Sequence, residues 1–364
     1  MREIILSRSP SFFRIVLFLC ILPFCILSGF EFPKDHSFHP EYKLEWVYFV
    51  GWIQTETGRE FGYELSFFRT DLSGKESVYP VHFAISDFQN SSHLTSQTIE
   101  RGITGLGVFS TSMIQSGDFQ VQILPDHRFH LKAQPRDSSI QLDLQLNPQE
   151  SKPIYLQGKD GISPKSRKYP GIQSRYYSIP RLETRGEIQI SGDRFRIAGG
   201  ESWMDHEWSG KSGESESDKI SGKESAWSWV GLWLEDGTDL TVFNFQNSPS
   251  DPVETFGSLR KKGENPEYFH KAGEVSFTPQ SDLWKSQSTG RKYPLRWKIQ
   301  VSDLEIEISP QFNHQEFDAR SSTGNIYWEG GVRASGIRSG KKVTGKGYLE
   351  LKGSQISSFG KALK

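Results

Sequence analysis

Cysteine is nearly absent from the sequence, and both cysteines lie close to the N terminus. The 364-residue chain contains two of them, Cys20 and Cys25, inside an apolar stretch that has the character of a targeting segment. A chain cleaved after that stretch has no thiol. It would therefore form no disulfide, and it would lack a cysteine nucleophile and a thiolate metal site.

An excess of one charge sign is also missing. The formal net charge is -1 and the pI is about 6.8, so the sequence offers no basic field that would attract nucleic acid. We therefore expect no nucleic-acid partner.

Long runs of strong helix formers do not occur, whereas aromatic residues make up 13% of the chain and glycine occurs 34 times. This composition is typical of many short strands joined by glycine turns. Single cores rarely grow past about 250 to 300 residues, so a chain of this length is long enough for two domains. The sequence thus predicts an all-β protein with two domains.

The apolar run at residues 15–27 is too short to span a bilayer comfortably. Three arginines precede it, and the small residues Ser28 and Gly29 follow. This pattern is that of a signal peptide, so we predict that residues 1–29 direct export to the periplasm, the cell envelope or the exterior. A lipoprotein modified at Cys25 is the less favoured alternative, because bulky Phe24 precedes the cysteine.

The second half of the sequence repeats features of the first half in the same order. Residues 230–237 parallel residues 50–58, because each segment is an aromatic strand that runs into a glycine turn. Residues 304–310 parallel residues 142–148, and both end at a proline. The ordered matches predict two tandem antiparallel β-barrels.

Composition indicates where these barrels begin and end. Residues 209–225 hold almost only Ser, Gly, Lys and Glu, which is typical of a solvated connection. We predict an N-terminal barrel over residues 30–210, a polar linker or insertion over residues 211–225, a C-terminal barrel over residues 226–353 and a tail over residues 354–364.

The densest group of reactive side chains lies at residues 203–208. Strand alternation assigns these side chains to two faces. One face carries Trp203, Asp205 and Glu207, and the other carries Met204, His206 and Trp208. Asp205 and His206 can act together only if a bulge breaks the alternation or if the site lies at a domain interface. The alternative is a strand end whose polar groups are satisfied by loop backbone.

Aromatic side chains suggest a binding pocket. A barrel of about eight strands can hold one elongated apolar ligand, and aromatics near the strand starts of both halves favour such a lining over ordinary core filling. The candidate ligand-binding residues are Glu45, Trp46, Tyr48, Tyr176, Tyr177, Trp203, Trp208, Trp229, Trp233 and Trp328.

Other common sites are not predicted. His36 and His39 are three positions apart, as are His127 and His130, and on a strand that spacing points two side chains to opposite faces. We therefore expect no metal site and no cofactor. A Gly-x-Ser-x-Gly elbow is also missing, which argues against an ordinary serine hydrolase.

Motifs along nearly the whole mature chain point to one family. They are Glu45-Trp46-Val47-Tyr48-Phe49 and residues 61–69, 176–181, 203–208, 234–237 and 327–330. Together they resemble the carotenoid 1,2-hydratase (hydroxyneurosporene synthase) and AttH-like family. The resemblance implies two lipocalin-like barrels and acid-catalysed addition of water to a terminal isoprenoid double bond. One position departs from the family pattern, since Val47 stands where a second aromatic residue is usual.

Two functions remain open. A hydratase needs a protonated carboxyl, an aromatic face for the developing cation and a group that orients water. Asp205 is the expected proton donor with Glu207 as its substitute. His206 would hold the water or tune the carboxyl, and an aromatic side chain such as Trp203, Trp208 or Tyr176 would face the cation.

The other function is that of a non-catalytic exported carrier of an isoprenoid, a carotenoid or another lipid, with membrane association as an option. In that case residues 205–207 tie the barrels together. The departure at Val47 favours the carrier.

Overall fold

The chain is built almost entirely of antiparallel β-strands. The computed structural model describes residues 29–72, 76–102, 107–211, 225–280 and 282–353. Two 3-10 turns, Lys34–His36 and Pro125–His127, accompany the strands. The predicted all-β class is therefore confirmed. Among the described residues, no helix has the length and apolar character that a bilayer crossing requires.

The first half of the chain forms a sheet of 13 strands. These strands are β1 (Tyr42–Thr55), β2 (Glu60–Leu72), β3 (Glu76–Asp87), β4 (Ser92–Arg101), β5 (Gly107–Ser110), β6 (Met113–Ser116), β7 (Phe119–Leu124), β8 (Arg128–Ala133), β9 (Ile140–Pro148), β10 (Tyr155–Leu156), β11 (Ile162–Pro164), β12 (Gln173–Ile190) and β13 (Asp193–Lys211). Their order in the sheet is β4-β3-β2-β1-β13-β12-β9-β8-β7-β6-β5, and β10 and β11 pair with β12.

The second half forms a sheet of ten strands and a separate two-stranded ribbon. The strands are β14 (Ala226–Leu234), β15 (Thr238–Gln246), β16 (Glu254–Lys261), β17 (Glu267–Phe269), β18 (Val275–Pro279), β19 (Leu283–Lys285), β20 (Lys292–Pro294), β21 (Trp297–Val301), β22 (Leu304–Pro310), β23 (Glu316–Ala319), β24 (Asn325–Arg338) and β25 (Lys341–Lys352). The sheet order is β17-β16-β15-β14-β25-β24-β22-β21-β18, with β23 paired to β24 and β19 paired to β20.

Both sheets share one topology, as the repeat in the sequence predicts. In each half the first strand pairs with the last strand, and a meander continues on either side of that pair. Each sheet curls, so that Phe49 of β1 packs against Phe129 of β8, with ring centroids 5.3 Å apart. The prediction of two tandem antiparallel barrels is confirmed. Residues 1–28, 212–224 and 354–364, which include most of the predicted signal peptide, linker and tail, lie outside the described residues.

The two halves meet through the outer face of the first sheet. On this face Trp203 of β13 contacts Trp229 and Trp233 of β14, with ring centroids 6.1 Å apart in each pair. We call the layer between the two sheets the junction. Its apolar core consists of Tyr48, Val50, Trp52, Ile172, Trp203, Trp229, Trp233, Phe243, Phe245, Phe256 and Tyr348. Many aromatics predicted to line a barrel lumen therefore lie between the barrels.

Carboxyl groups are buried in the same junction. The Tyr327 hydroxyl donates a hydrogen bond of 2.9 Å to Glu64 of β2, and the Tyr48 hydroxyl donates one to Glu329 of β24. Burial raises the pKa of Glu64 to about 8 and the pKa of Glu329 well above its ordinary value. Burial thus favours the protonated form of the acids that join the halves, because an ionised carboxyl is poorly solvated in this layer.

Glycines allow the close approach of the halves. A Cβ atom on Gly331 of β24 would lie 2.5 Å from Cζ of Phe88 and 3.3 Å from Cζ3 of Trp52, and both of these rings belong to the first half. Gly199 of β13 offers a matched comparison, because a Cβ atom there would have no heavy atom within 4 Å.

We predict that Gly331→Ala lowers the free energy of unfolding by about 1 to 3 kcal/mol, the usual cost of overpacking a filled core. Gly199→Ala serves as the control and should leave stability nearly unchanged. Urea unfolding followed by tryptophan fluorescence measures both. Equal losses in the two variants would contradict the account of the junction.

A second prediction concerns pH. The folded-state pKa of Glu64 lies above the unfolded value of about 4.3, so its favourable contribution is complete below that value and is lost as the pH rises through about 8. Glu64→Gln mimics the protonated acid and does not titrate. Between about pH 5 and pH 9, its free energy of unfolding should therefore rise by roughly 2 to 4 kcal/mol relative to that of the wild type.

Chemical unfolding at the two pH values tests this, with exposed Glu307→Gln as the control. A Glu64→Gln variant whose pH dependence matches the wild type would refute the assignment.

Candidate functional site

The predicted catalytic residues of β13 lie on two different faces. The β1 and β13 strands pair in unbroken register from Leu44 and Ser209 to Gln54 and Gly199, so no bulge interrupts the alternation near Asp205. Asp205 and Glu207 face the junction, whereas His206 faces the interior of the first sheet. The structure therefore separates the predicted catalytic group into two sites, and Asp205 and His206 do not enter one cavity.

Asp205 is held by three side-chain donors. It accepts hydrogen bonds from the Tyr176 hydroxyl (2.8 Å), the Ser178 hydroxyl (2.5 Å) and the Trp203 indole N–H (2.7 Å). The neighbouring strand β12 supplies Tyr176 and Ser178, and Ser178 lies directly opposite Asp205 in the register. Burial raises the pKa of Asp205 to about 7, although the three hydrogen bonds oppose that rise.

Glu207 lies one step along the same face and forms an ion pair. Its carboxylate is 2.6 Å from the Lys165 ammonium, and both side chains are buried. The ammonium also lies over the rings of Phe243, at 4.4 Å, and Tyr176, at 5.2 Å. A carboxylate already engaged with a buried ammonium is a poor candidate for the proton donor.

Glu350 of β25 is a functional candidate that the sequence analysis did not name. It accepts a hydrogen bond of 2.8 Å from the Trp227 indole N–H. Burial raises the pKa of Glu350 to about 7, and the negative charges of Glu207 and Asp205 add to the rise. The residue as a whole is half-buried, whereas Asp205 is 4% exposed. The internal repeat could have indicated Glu350, because residues 345–350 end the second half as residues 199–205 end the first.

Half-buried aromatic side chains lie at the edge of the junction near this group. Trp46, Trp227 and Tyr169 pack against the junction core and stay half-buried. Deeper in the layer, Tyr48 is 7% exposed to solvent and Trp229 is 8% exposed. We call this partly exposed aromatic surface, together with Asp205 and Glu350, the junction crevice. It combines an apolar wall with carboxyl groups of raised pKa, which is the composition that a site for an apolar substrate needs.

A cleft lies elsewhere along the junction. It has a volume of about 740 Å³ and is lined by charged side chains that include Arg181, Glu201, Arg333 and Lys346, with Trp233 beside them. Arg181 is paired with Asp239 at 2.7 Å. Charged walls of both signs do not suit an elongated apolar ligand.

His206 belongs to a polar cluster inside the first sheet. Its Nε2 lies 2.7 Å from Oε1 of Glu45, and its Nδ1 lies 3.1 Å from the Tyr177 hydroxyl. His39 Nδ1 is also 2.7 Å from Oε1 of Glu45, and the ring of His39 stacks on Trp208 with centroids 3.9 Å apart. Burial lowers the pKa of His39, but hydrogen bonds to Asp35 and Glu45 outweigh burial and raise it to about 9.

His36 and His39 do not lie on a strand, although the spacing rule assumes that they do. His36 lies in the 3-10 turn Lys34–His36 and His39 lies in the connection before β1, so the strand rule does not apply to either residue. Both rings enter the cluster, and His36 Nε2 lies 2.9 Å from His127 Nδ1. His130, in contrast, is on β8 and pairs with Asp143 at 2.6 Å.

The candidate ligand-binding residues are likewise divided. Glu45, Tyr177 and Trp208 belong to the cluster inside the first sheet, and Trp328 is fully buried in the core of the second sheet. The others lie at the junction, namely Trp46, Tyr48, Tyr176, Trp203, Trp229 and Trp233. The junction thus gathers most of them into one place.

Comparison with known proteins agrees with this architecture. The model of the AttH-like family matches residues 27–354. Kievitone hydratase of Fusarium solani subsp. phaseoli is 23% identical over 181 residues, which are 48% of this chain and 48% of that protein. The match thus spans about half the length of that relative.

Two solved structures resemble the whole chain. A protein of Nitrosomonas europaea described as an AttH is 29% identical, with a TM-score of 0.77 and coverage of 89% of this chain and 97% of the other. Kievitone hydratase from Nectria haematococca has a TM-score of 0.69 at 14% identity, with coverage of 91% and 95%, and at that identity the likeness is one of fold. Since the family model matches nearly the whole chain, the protein belongs to the AttH-like family.

Proposed function

We propose that this protein is a hydratase that adds water to an isoprenoid carbon–carbon double bond in the junction crevice. The observation that carries the proposal is the pair Asp205 and Glu350, two carboxyl groups whose pKa burial raises to about 7 beside an aromatic wall. The partial likeness to a kievitone hydratase supports the same class of reaction.

Glu350 is the better proton donor of the two. The residue is less buried than Asp205, and one indole N–H donor leaves the rest of the carboxyl free to carry a proton. Asp205 already accepts three hydrogen bonds and is deeply buried. A general acid must reach the reacting carbon directly or through one water.

Asp205 then serves as the partner that receives a proton from the attacking water, with the Tyr176 hydroxyl beside it. The two carboxyl groups repel each other when both are ionised. Two carboxyl groups that repel each other in this way favour a state with one protonated and the other ionised. One acid and one base are therefore present together near neutral pH.

Aromatic faces would stabilise the cation that forms when the double bond is protonated. The Trp229 ring packs edge-on against Tyr48 at 5.6 Å and against Trp203 at 6.1 Å. A cation above such a face gains about 0.5 to 2 kcal/mol, more when water is excluded. The same walls would exclude bulk water and admit an apolar chain.

The departure from the family motif at Val47 does not weaken the proposal. Val47 is fully buried on the inner face of β1, whereas Tyr48 next to it faces the junction. A smaller side chain at this position therefore alters the interior of the first sheet and leaves the crevice wall in place. His206 lies on that same inner side and takes no direct part in the proposed reaction.

A non-catalytic carrier of isoprenoid, carotenoid or other lipid is the second candidate. The aromatic wall favours it, since Trp46 and Trp227 present large half-buried apolar surfaces without a reactive group of their own. In that case the buried carboxyl groups serve to hold the halves together, and membrane association would deliver the ligand.

We predict that Glu350→Gln lowers the rate of hydration by about 10² to 10⁴-fold, the usual contribution of a general acid, while ligand binding is retained. Asp205→Asn should also lower the rate. Lycopene and kievitone are suitable trial substrates in ¹⁸O-labelled water, with mass spectrometry of the product, and quenching of tryptophan emission reports binding. Glu307→Gln is the matched control.

The outcomes separate the two candidates. A hydration rate that is unchanged in each of the single variants Glu350→Gln and Asp205→Asn would overturn the assigned roles. Saturable quenching without turnover in the wild type, together with an isoprenoid or lipid that co-purifies, would favour the carrier.

We also propose export, on the basis of the arginines and the apolar run at residues 15–27. Expression of the full chain in a bacterial host should give a mature protein that begins near residue 30 and lies outside the cytoplasm. Intact-mass measurement after cell fractionation tests this, and an uncleaved cytoplasmic chain would contradict it.

A further inference from the structure

The cluster inside the first sheet brings together three side chains that commonly bind metal ions. They are His39, Glu45 and His206, and the nearest ligand atoms of the three lie within 4.8 Å of one another. Glu45 Oε1 is 2.7 Å from His39 Nδ1 and 2.7 Å from His206 Nε2. The cluster lies on the opposite face of β13 from Asp205, so it is a separate site from the junction crevice.

Local structure explains why these residues meet. Glu45 and His206 are on the paired strands β1 and β13, and Glu45 opposes Trp208 while Val47 opposes His206. The two side chains are therefore diagonal neighbours on one face, a distance that long side chains bridge. The connection before β1 brings His39 over them, and the backbone N–H of His39 donates to Oε2 of Glu45 at 2.7 Å.

We propose that His39 Nδ1, Glu45 Oε1 and His206 Nε2 bind a divalent transition-metal ion, with Zn²⁺ as the best match. Two imidazoles and one carboxylate form a donor set that zinc uses in proteins, with a fourth position left for water or another ligand. The inference is independent of the proposed hydratase function.

The groups around the ligands support this assignment. Histidines that bind metals nearly always hydrogen-bond through the other ring nitrogen, which fixes the tautomer and the ring orientation. The Asp35 carboxylate lies 3.4 Å from His39 Nε2, and the Tyr177 hydroxyl lies 3.1 Å from His206 Nδ1. Both candidate histidines thus have their second nitrogen held by a polar partner.

The hydrogen bonds can adjust to a metal without leaving a buried donor unpaired. A metal at His206 Nε2 moves the ring proton to Nδ1, where the Tyr177 oxygen accepts it. The Tyr177 hydroxyl lies 2.7 Å from His36 Nδ1 and 3.2 Å from the backbone carbonyl of Asp35, and it can donate to either acceptor. His39 keeps its Nε2 proton, directed at the Asp35 carboxylate.

The negative charge of the cluster also favours a bound cation. Asp35 and Glu45 place two carboxylates in a buried region around the one imidazole of His39, and buried negative charge needs a partner. A divalent cation balances both charges. It would also fix the N-terminal connection to β1 and β13 through bonds to three separate segments.

The test uses tag-free mature protein that has been treated with a chelator and then titrated with zinc chloride by calorimetry. We expect one zinc per chain in the wild type and a rise in melting temperature, because a ligand that binds the folded state stabilises it. His39→Gln and His206→Gln should weaken binding by at least about 100-fold, and Asp35→Asn, which alters an outer partner, by about 10 to 100-fold.

Two controls make the result specific. His127→Gln removes the partner of His36 and should leave zinc affinity within about threefold of the wild type, as should His130→Gln outside the cluster, since neither is a ligand or an outer partner of one. Cobalt(II) absorption spectra of the wild type report the ligand geometry without any substitution.

Three results would overturn the proposal. They are a wild type that binds no zinc, binding that survives both His39→Gln and His206→Gln, and binding that is lost in His127→Gln. Should His206→Gln fail to fold, His39→Gln in the connection carries the test.

Discussion

The alternation of side chains along β13 determines which of its polar residues can lie in the same site. Successive side chains of β13 point to opposite faces, and the unbroken register with β1 keeps them there. A sequence of adjacent acid, imidazole and acid therefore supplies two separate sites. Asp205 and Glu207 enter the layer between the halves, and His206 enters the first sheet. A bulge at Asp205 and His206 would instead have placed these two side chains on the same face.

The junction is unusual in joining an aromatic core to buried acids. Burial alone would disfavour each ionised carboxylate, yet each acid also has a donor directed at it, such as Tyr327 for Glu64 and Trp227 for Glu350. These donors limit the desolvation cost and fix the side chains in place. The same interactions that hold the halves together thus keep carboxyl groups near neutral pKa values.

The fold was predictable because it depends on patterns that the sequence displays openly, namely alternation, glycine turns and an ordered repeat. The candidate site was harder to predict from the sequence. The faces of residues 203–208 followed from alternation, but the position of the second sheet, which brings Glu350 to Asp205, is set by long-range packing. The rule used for His36 and His39 failed because they lie in a 3-10 turn and a connection, where strand periodicity has no meaning.

The pairing of the first and last strands in each half has a consequence for synthesis. The sheet of the first half cannot be completed until β13 has left the ribosome, because β1 requires β13 as its neighbour. Contacts between segments this far apart in sequence close slowly. The nascent chain therefore exposes the edge of β1 throughout translation of the first half, a state in which an unpaired apolar strand is open to wrong partners.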